Sequence, residues 1–116
     1  MRANDFVRGW KIKTTFVLLA FASTGCAAVR NPALQRTRDA YERARQDPEV
    51  VGRAGAALDK ARVTLEQAER VWTTEKDVME AEHLAYLAEK RVEIARVTAR
   101  RRLAIDELQQ LKSQRE

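Results

Sequence analysis

No proline follows Pro48 and no glycine follows Gly55, so more than half of this 116-residue chain runs to its end without a helix breaker. A stretch of that length, rich in Ala, Leu, Glu and Arg, favours long helices and disfavours a sheet. Its apolar residues recur at helical spacing. Val51, Ala54, Leu58, Ala61, Leu65, Ala68 and Trp72 alternate steps of three and four, a heptad seam in which alanine layers alternate with larger ones. A second Ala-rich seam follows, made of Ala81, Ala85, Ala88, Val92, Ala95 and Ala99 and widened by Leu84, Leu87, Ile94 and Leu103. Small seam residues let two helix axes approach closely. The two seams predict an all-α fold: an antiparallel helical hairpin or, with a short first helix, a small three-helix coiled-coil-like bundle.

Helix boundaries follow from local chemistry. Asn31-Pro32 reads as an N-cap with proline at the first helical position, opening a helix over 32–45 with a weak apolar face: Leu34, Arg38, Tyr41 and Arg45 lie three or four apart, with Ala33, Thr37, Ala40 and Ala44 beside them. Asp47-Pro48-Glu49 is a break and restart, and the second helix spans about 48–73. Gly52 and Gly55 near its start read as a close approach by another backbone or as a frayed first turn. Asp77 and Glu80 have capping-box spacing ahead of a third helix over about 78–112. Thr73-Thr74-Glu75-Lys76 holds neither glycine nor proline, so one continuous helix from Pro48 competes with the hairpin. At about 1.5 Å per residue the third helix is about 50 Å long against about 37 Å for the second. Its overhang must pack on the first helix, pair with another protomer or stand in water. No repeat unit is expected.

The segment before these helices has a different character. Arg2, Arg8, Lys11 and Lys13, offset by Asp5, precede an apolar run from Phe16 to Ala22, and Ser23-Thr24-Gly25 then leads to Cys26, the only cysteine. A basic region, a short apolar run and small residues make a secretory signal peptide over 1–25; the run is shorter than the roughly 20 residues that span a bilayer. Gly25-Cys26 resembles the lipobox of bacterial lipoproteins. That resemblance implies cleavage before Cys26, acylation of its thiol and new amine, and a lipidated tether over 26–31. Ser23 stands where the usual lipobox has leucine. Ala27 after the cysteine resembles the outer-membrane sorting signal of many Gram-negative lipoproteins.

Removing 1–25 also removes most of the net charge of +5: four bases and one acid leave with it, and the remainder holds 18 bases against 16 acids. A nearly neutral exported chain is no nucleic-acid binder. One cysteine permits no internal disulfide, and a core this small is marginal alone. Membrane attachment through Cys26 and self-association or a protein partner through the Ala-rich seams are the expected supports.

Chemistry-bearing residues are sparse. The sequence holds no phosphate-cradling loop, metal-ligand cluster or catalytic set, so neither an enzyme nor a cofactor is expected. His83, the only histidine, lies beside Glu80 and Glu82 and reads as a helix histidine bonded to a neighbour. Arg100-Arg101-Arg102 is the one concentrated basic run, a candidate anion-binding patch or a solvated surface.

Ala40-Tyr41-Glu42-Arg43-Ala44-Arg45, the Asp47-Pro48 break and, above all, His83-Leu84-Ala85-Tyr86-Leu87-Ala88 followed by Arg91-Val92-Glu93-Ile94-Ala95 carry a wider resemblance. The mature chain resembles an uncharacterised family of bacterial envelope lipoproteins, domain of unknown function 4398. Its segment often precedes an OmpA-type peptidoglycan-binding domain. The resemblance implies an outer-membrane, periplasm-facing, lipid-anchored helical domain over 32–116, with an OmpA-type protein or peptidoglycan as partner. The chain ends Ser113-Gln114-Arg115-Glu116, without the C-terminal lysine that joins murein lipoprotein to the wall. Within the hexamer, His83, Leu84, Tyr86 and Leu87 read as a packing or docking motif, with His83 and Tyr86 bringing polar tips to partly buried places.

Two functions are therefore expected to compete: an envelope structural or adaptor element acting through helix contacts, and a module binding an anionic envelope component, lipopolysaccharide or peptidoglycan, through arginines.

Overall fold

The computed structural model describes residues 29–116, so the expected leader and Cys26 lie outside the described residues. Three helices form. α1 spans Pro32–Arg45, α2 spans Pro48–Arg70 and continues into a π-helical turn at Val71–Glu75, and α3 spans Val78–Arg115. The fold is an all-α bundle.

Each helix begins at a built cap. The Asn31 side chain accepts from the backbone N–H of Ala33 and Leu34, and Pro32 follows where its missing donor is harmless. Asp47 accepts from Glu49 N–H at 3.0 Å, and Asp77 from Glu80 N–H at 3.0 Å. Between α2 and α3 the chain reverses at Lys76, whose φ of 59° places a non-glycine residue in the left-handed region. This closes the competing geometry of one continuous helix. The π-helical turn at Val71–Glu75 loosens the end of α2 just before the reversal.

The direction of α1 follows from its contacts. Asn31 Nδ2 donates to Glu82, the Thr37 hydroxyl to the Ala85 carbonyl, and Ala44 shares a core cluster with Val92 and Ala95. α1 therefore ascends alongside α3 and antiparallel to α2, where Arg38 pairs with Glu69. The topology is up-down-up.

The core is two clusters in line. Leu34, Leu65, Ala68, Val71, Ala81, Leu84, Ala85 and Ala88 fill the end nearest the α2–α3 turn. Ala44, Val50, Ala54, Leu58, Ala61, Val92, Ala95 and Ala99 fill the other. Both alanine seams thus face each other, and Ala61, Ala68, Ala81, Ala85, Ala88 and Ala95 have no exposed surface at all. Each buried leucine contributes roughly 1.5–3 kcal/mol; the alanines contribute less themselves and set the close axis spacing that buries the leucines.

Several sequence expectations are corrected. Val51 is 47% exposed and Val50 enters the core instead, because Ala54 leaves the helical region (φ −136°, ψ 29°) and the kink turns the preceding residues. Val71 closes the α2 seam and Trp72 is half-buried beside it. A side chain built at Gly52 or Gly55 would meet nothing within 4 Å, so no backbone crowds either glycine. Ile94 does not widen the α3 seam; it faces solvent. On α1 the buried face is Leu34, Thr37 and Ala44 with Tyr41 half-buried, whereas Arg38 and Arg45 are exposed.

Candidate functional site

With the Ala-rich seams consumed inside the hairpin, the surface left for a partner is the outer face of α3. Met79, His83, Tyr86, Lys90, Ile94, Val97, Arg101, Ile105, Leu108 and Lys112 succeed one another in steps of four, three and four. At 3.6 residues per turn these positions form one stripe, on the side opposite Ala81, Ala88, Ala95 and Ala99. Met79, Tyr86, Ile94, Val97, Ile105 and Leu108 on that stripe are exposed, Val97 at 61%. Isolated exposed hydrophobics need no explanation; a run of them at one helical phase does.

The stripe has an internal period. Lys90-Ile94-Val97 and Arg101-Ile105-Leu108 repeat a base, an aliphatic four residues on and another aliphatic three further, at an interval of eleven residues; Met79-His83-Tyr86 is an imperfect copy before them. An eleven-residue repeat runs at about 3.67 residues per turn, which suits a nearly straight or slightly right-handed helix pair. The core seam of the same helix keeps sevens. The repeat is hard to see in the sequence because the alanine seam of the same helix carries the stronger heptad pattern.

Beyond Ala99 no α3 residue is buried; Leu103 and Asp106 are half-buried and everything from Glu107 onward is exposed. The last turns carry Leu108 and Leu111, exposed at 59% and 56%. The overhang therefore stands uncovered by the described chain.

The hexamer divides between the two faces. Leu84 and Ala85 are buried in the turn-end cluster, Leu87 is half-buried against it, and His83 and Tyr86 are exposed on the stripe. The expectation that His83 and Tyr86 reach partly buried places is corrected by their position one face away from the alanines. Lys90 Nζ lies 5.5 Å from the Tyr86 ring centroid and donates to Glu93 at 3.0 Å. That hydrogen bond, helped by the nearby Tyr86 and Glu89, holds the Lys90 ammonium above the usual lysine range. The charge is therefore present at neutral and acidic pH and is lost only as pH rises through the elevated value. Lys90, Glu93, Ile94, Val97 and Thr98 line a shallow depression here.

The arginine triplet does not act as one patch, since consecutive helical residues point about 100° apart. Arg100 lines a depression with Asp47, Glu49 and Arg96, while the Arg102 guanidinium donates to the Arg53 carbonyl. Arg101 alone belongs to the outer stripe. Arg53 links α2 to α3 by pairing with Asp106 as well as Glu49; the hydrogen bonds its guanidinium donates to Glu49 and Asp106 hold its pKa above the ordinary arginine value. Arg91 crosses the same seam to Thr64 and the Lys60 carbonyl. Cys26 lies outside the described residues.

Among the described residues no cluster of three His, Cys, Asp or Glu side chains could hold a metal ion, and no helix is long and apolar enough to cross a membrane. Residues 32–111 match a family model described as Domain of unknown function (DUF4398). No curated protein and no solved structure matches the chain.

Proposed function

The chain belongs to the DUF4398 family, and from that premise we propose that it is a lipid-anchored, periplasm-facing lipoprotein of the outer membrane, with a structural or adaptor role in the cell envelope exerted through helix–helix contacts. The observation that carries the adaptor role is the outer stripe of α3: aliphatic side chains at one helical phase, opposite a filled core, continuing onto an overhang that nothing in the described chain covers. A partner helix laid along the stripe would bury Ile94, Val97, Ile105 and Leu108 as the apolar seam and set Lys90 and Arg101 against acidic groups of its own. An OmpA-type protein or a second helical chain fits that description. Gly25-Cys26 supports the anchor, and two or more acyl chains make such an anchor stable. The chain carries out no catalysis in this reading.

Photo-crosslinking in cells tests it. A photoreactive residue at Val97 or Leu108 is expected to trap a discrete envelope partner, and one at Val63, exposed on α2, to trap none. Equal trapping from all three positions, or from none, sinks the adaptor reading. Replacing Cys26 with Ser is expected to abolish palmitate labelling and release the chain from membranes.

A second reading, capture of lipopolysaccharide phosphates or peptidoglycan carboxylates by arginines, is supported by the exposure of Arg36, Arg43, Arg100 and Arg101. It is weakened by the dispersal of the triplet around α3. Retention on purified sacculi that vanishes at raised salt would favour it.

A further inference from the structure

Asn31 fixes where the chain leaves the bundle. Its side chain caps α1 through Ala33 and Leu34 and donates to Glu82 on the first turns of α3, and the residue is only 6% exposed. The preceding residues therefore start at the end of the bundle that holds the α2–α3 turn. Five residue steps separate Asn31 from Cys26, a reach of at most about 18 Å. If Cys26 carries lipid, as the proposed function holds, the bilayer lies within that distance of this end.

The same end carries apolar side chains that the core leaves wholly or partly uncovered. Val29 is 80% exposed and Met79 83% exposed, with Val78 half-exposed next to it and Trp72 half-buried beside the turn-end cluster. Near them along the chain are Arg30, Arg70 and Lys76 against Glu75, Asp77, Glu80 and Glu82. Bases and acids nearly cancel, so the patch has no strong preference for anionic headgroups. Tryptophan and methionine side chains beside a balanced polar rim suit the boundary between headgroups and acyl chains.

We propose that the turn end of the bundle, through Val29, Trp72, Val78 and Met79, rests on the lipid surface to which Cys26 is anchored. This rests on the lipoprotein reading and adds to it an orientation. The bundle then stands upright, with α3, 38 residues and about 57 Å long, directed away from the membrane. Its uncovered last turns are held at the far end, where a partner distant from the membrane can reach them.

Trp10 and Trp72 are the only tryptophans, and Trp10 belongs to the segment removed on processing. Trp72 emission in the processed, lipidated chain therefore reports on the turn end alone. The chain is incorporated into vesicles of phosphatidylethanolamine and phosphatidylglycerol containing brominated acyl chains, and flotation is measured on the same sample. The expected result is flotation with marked loss of Trp72 emission relative to unbrominated vesicles. A fluorophore on Ser113→Cys at the far end should keep its emission. Met79→Asp, an exposed change that adds an acid to the first turn of α3 and so favours the helix, should float as before and recover much of the Trp72 emission. Flotation with Trp72 unquenched, or with both ends quenched alike, overturns the proposed orientation while leaving the anchor intact. Failure of the processed chain to float overturns the anchor itself, and the proposal with it.

Discussion

Ala85 shows how much of this bundle rests on what side chains lack. It has no exposed surface, and its carbonyl accepts a hydrogen bond from Thr37 of α1, so three helices converge on one methyl group. Extra methylenes there have no room and must push helix axes apart. Ala85→Leu is expected to destabilise the chain by about 2–3 kcal/mol, read as a fall in the urea midpoint, whereas Tyr86→Leu on the outer face should stay within about 0.5 kcal/mol. Equal effects from the two would mean that the seam is not tightly packed. The alanine positions were legible in the sequence because they keep a heptad through six members. Thr37 lies beside the apolar face of α1 in the sequence pattern, but a hydroxyl by itself gives no sign of full burial. Its proton is shared between the Ala33 carbonyl one turn back and the Ala85 carbonyl across the interface, which lets a polar residue be 1% exposed without an unmet donor.

Among the elements, the α2–α3 turn is where sequence reasoning left two outcomes open. Thr73-Thr74-Glu75-Lys76 offers no glycine, yet the reversal needs a left-handed residue and Lys76 supplies it at φ 59°. What selects the hairpin is remote: two alanine seams can be buried only against each other, and that gain outweighs a local strain of about 1–2 kcal/mol. Lys76→Gly removes the strain and adds some unfolded-state entropy, so a net stabilisation of about 0.5–1 kcal/mol is expected in chemical denaturation. No gain, or a loss, would show that Lys76 holds the turn by a side-chain interaction instead. The kink at Ala54 was hidden for a related reason. Val50 and Val51 both fit an ideal helix phase onto Leu58, and only the non-helical backbone at Ala54 decides between them.

For the whole molecule, α3 serves two interfaces with two different periods. Its heptad side closes the hairpin over Ala81–Ala99, and its eleven-residue side continues past the end of that core to Leu108 and Lys112. A helix selected only for folding could stop near Asp106, where Arg53 of α2 makes the last ion pair to it. The further residues Glu107–Glu116 are all exposed in the described chain, so they either meet something outside it or contribute little. Ending the chain after Asp106 separates those outcomes. Its thermal midpoint is expected to remain within a few degrees of the parent, since loss of an exposed terminus changes stability by less than about 0.5 kcal/mol. Crosslinking from Val97 should meanwhile weaken, because the partner loses Leu108 from the apolar seam. A midpoint that drops well beyond this range would place the overhang in the chain's own stability. An unchanged midpoint with undiminished crosslinking would confine the docking face to Tyr86–Ile105 and leave Glu107–Glu116 without a part in either the fold or the docking.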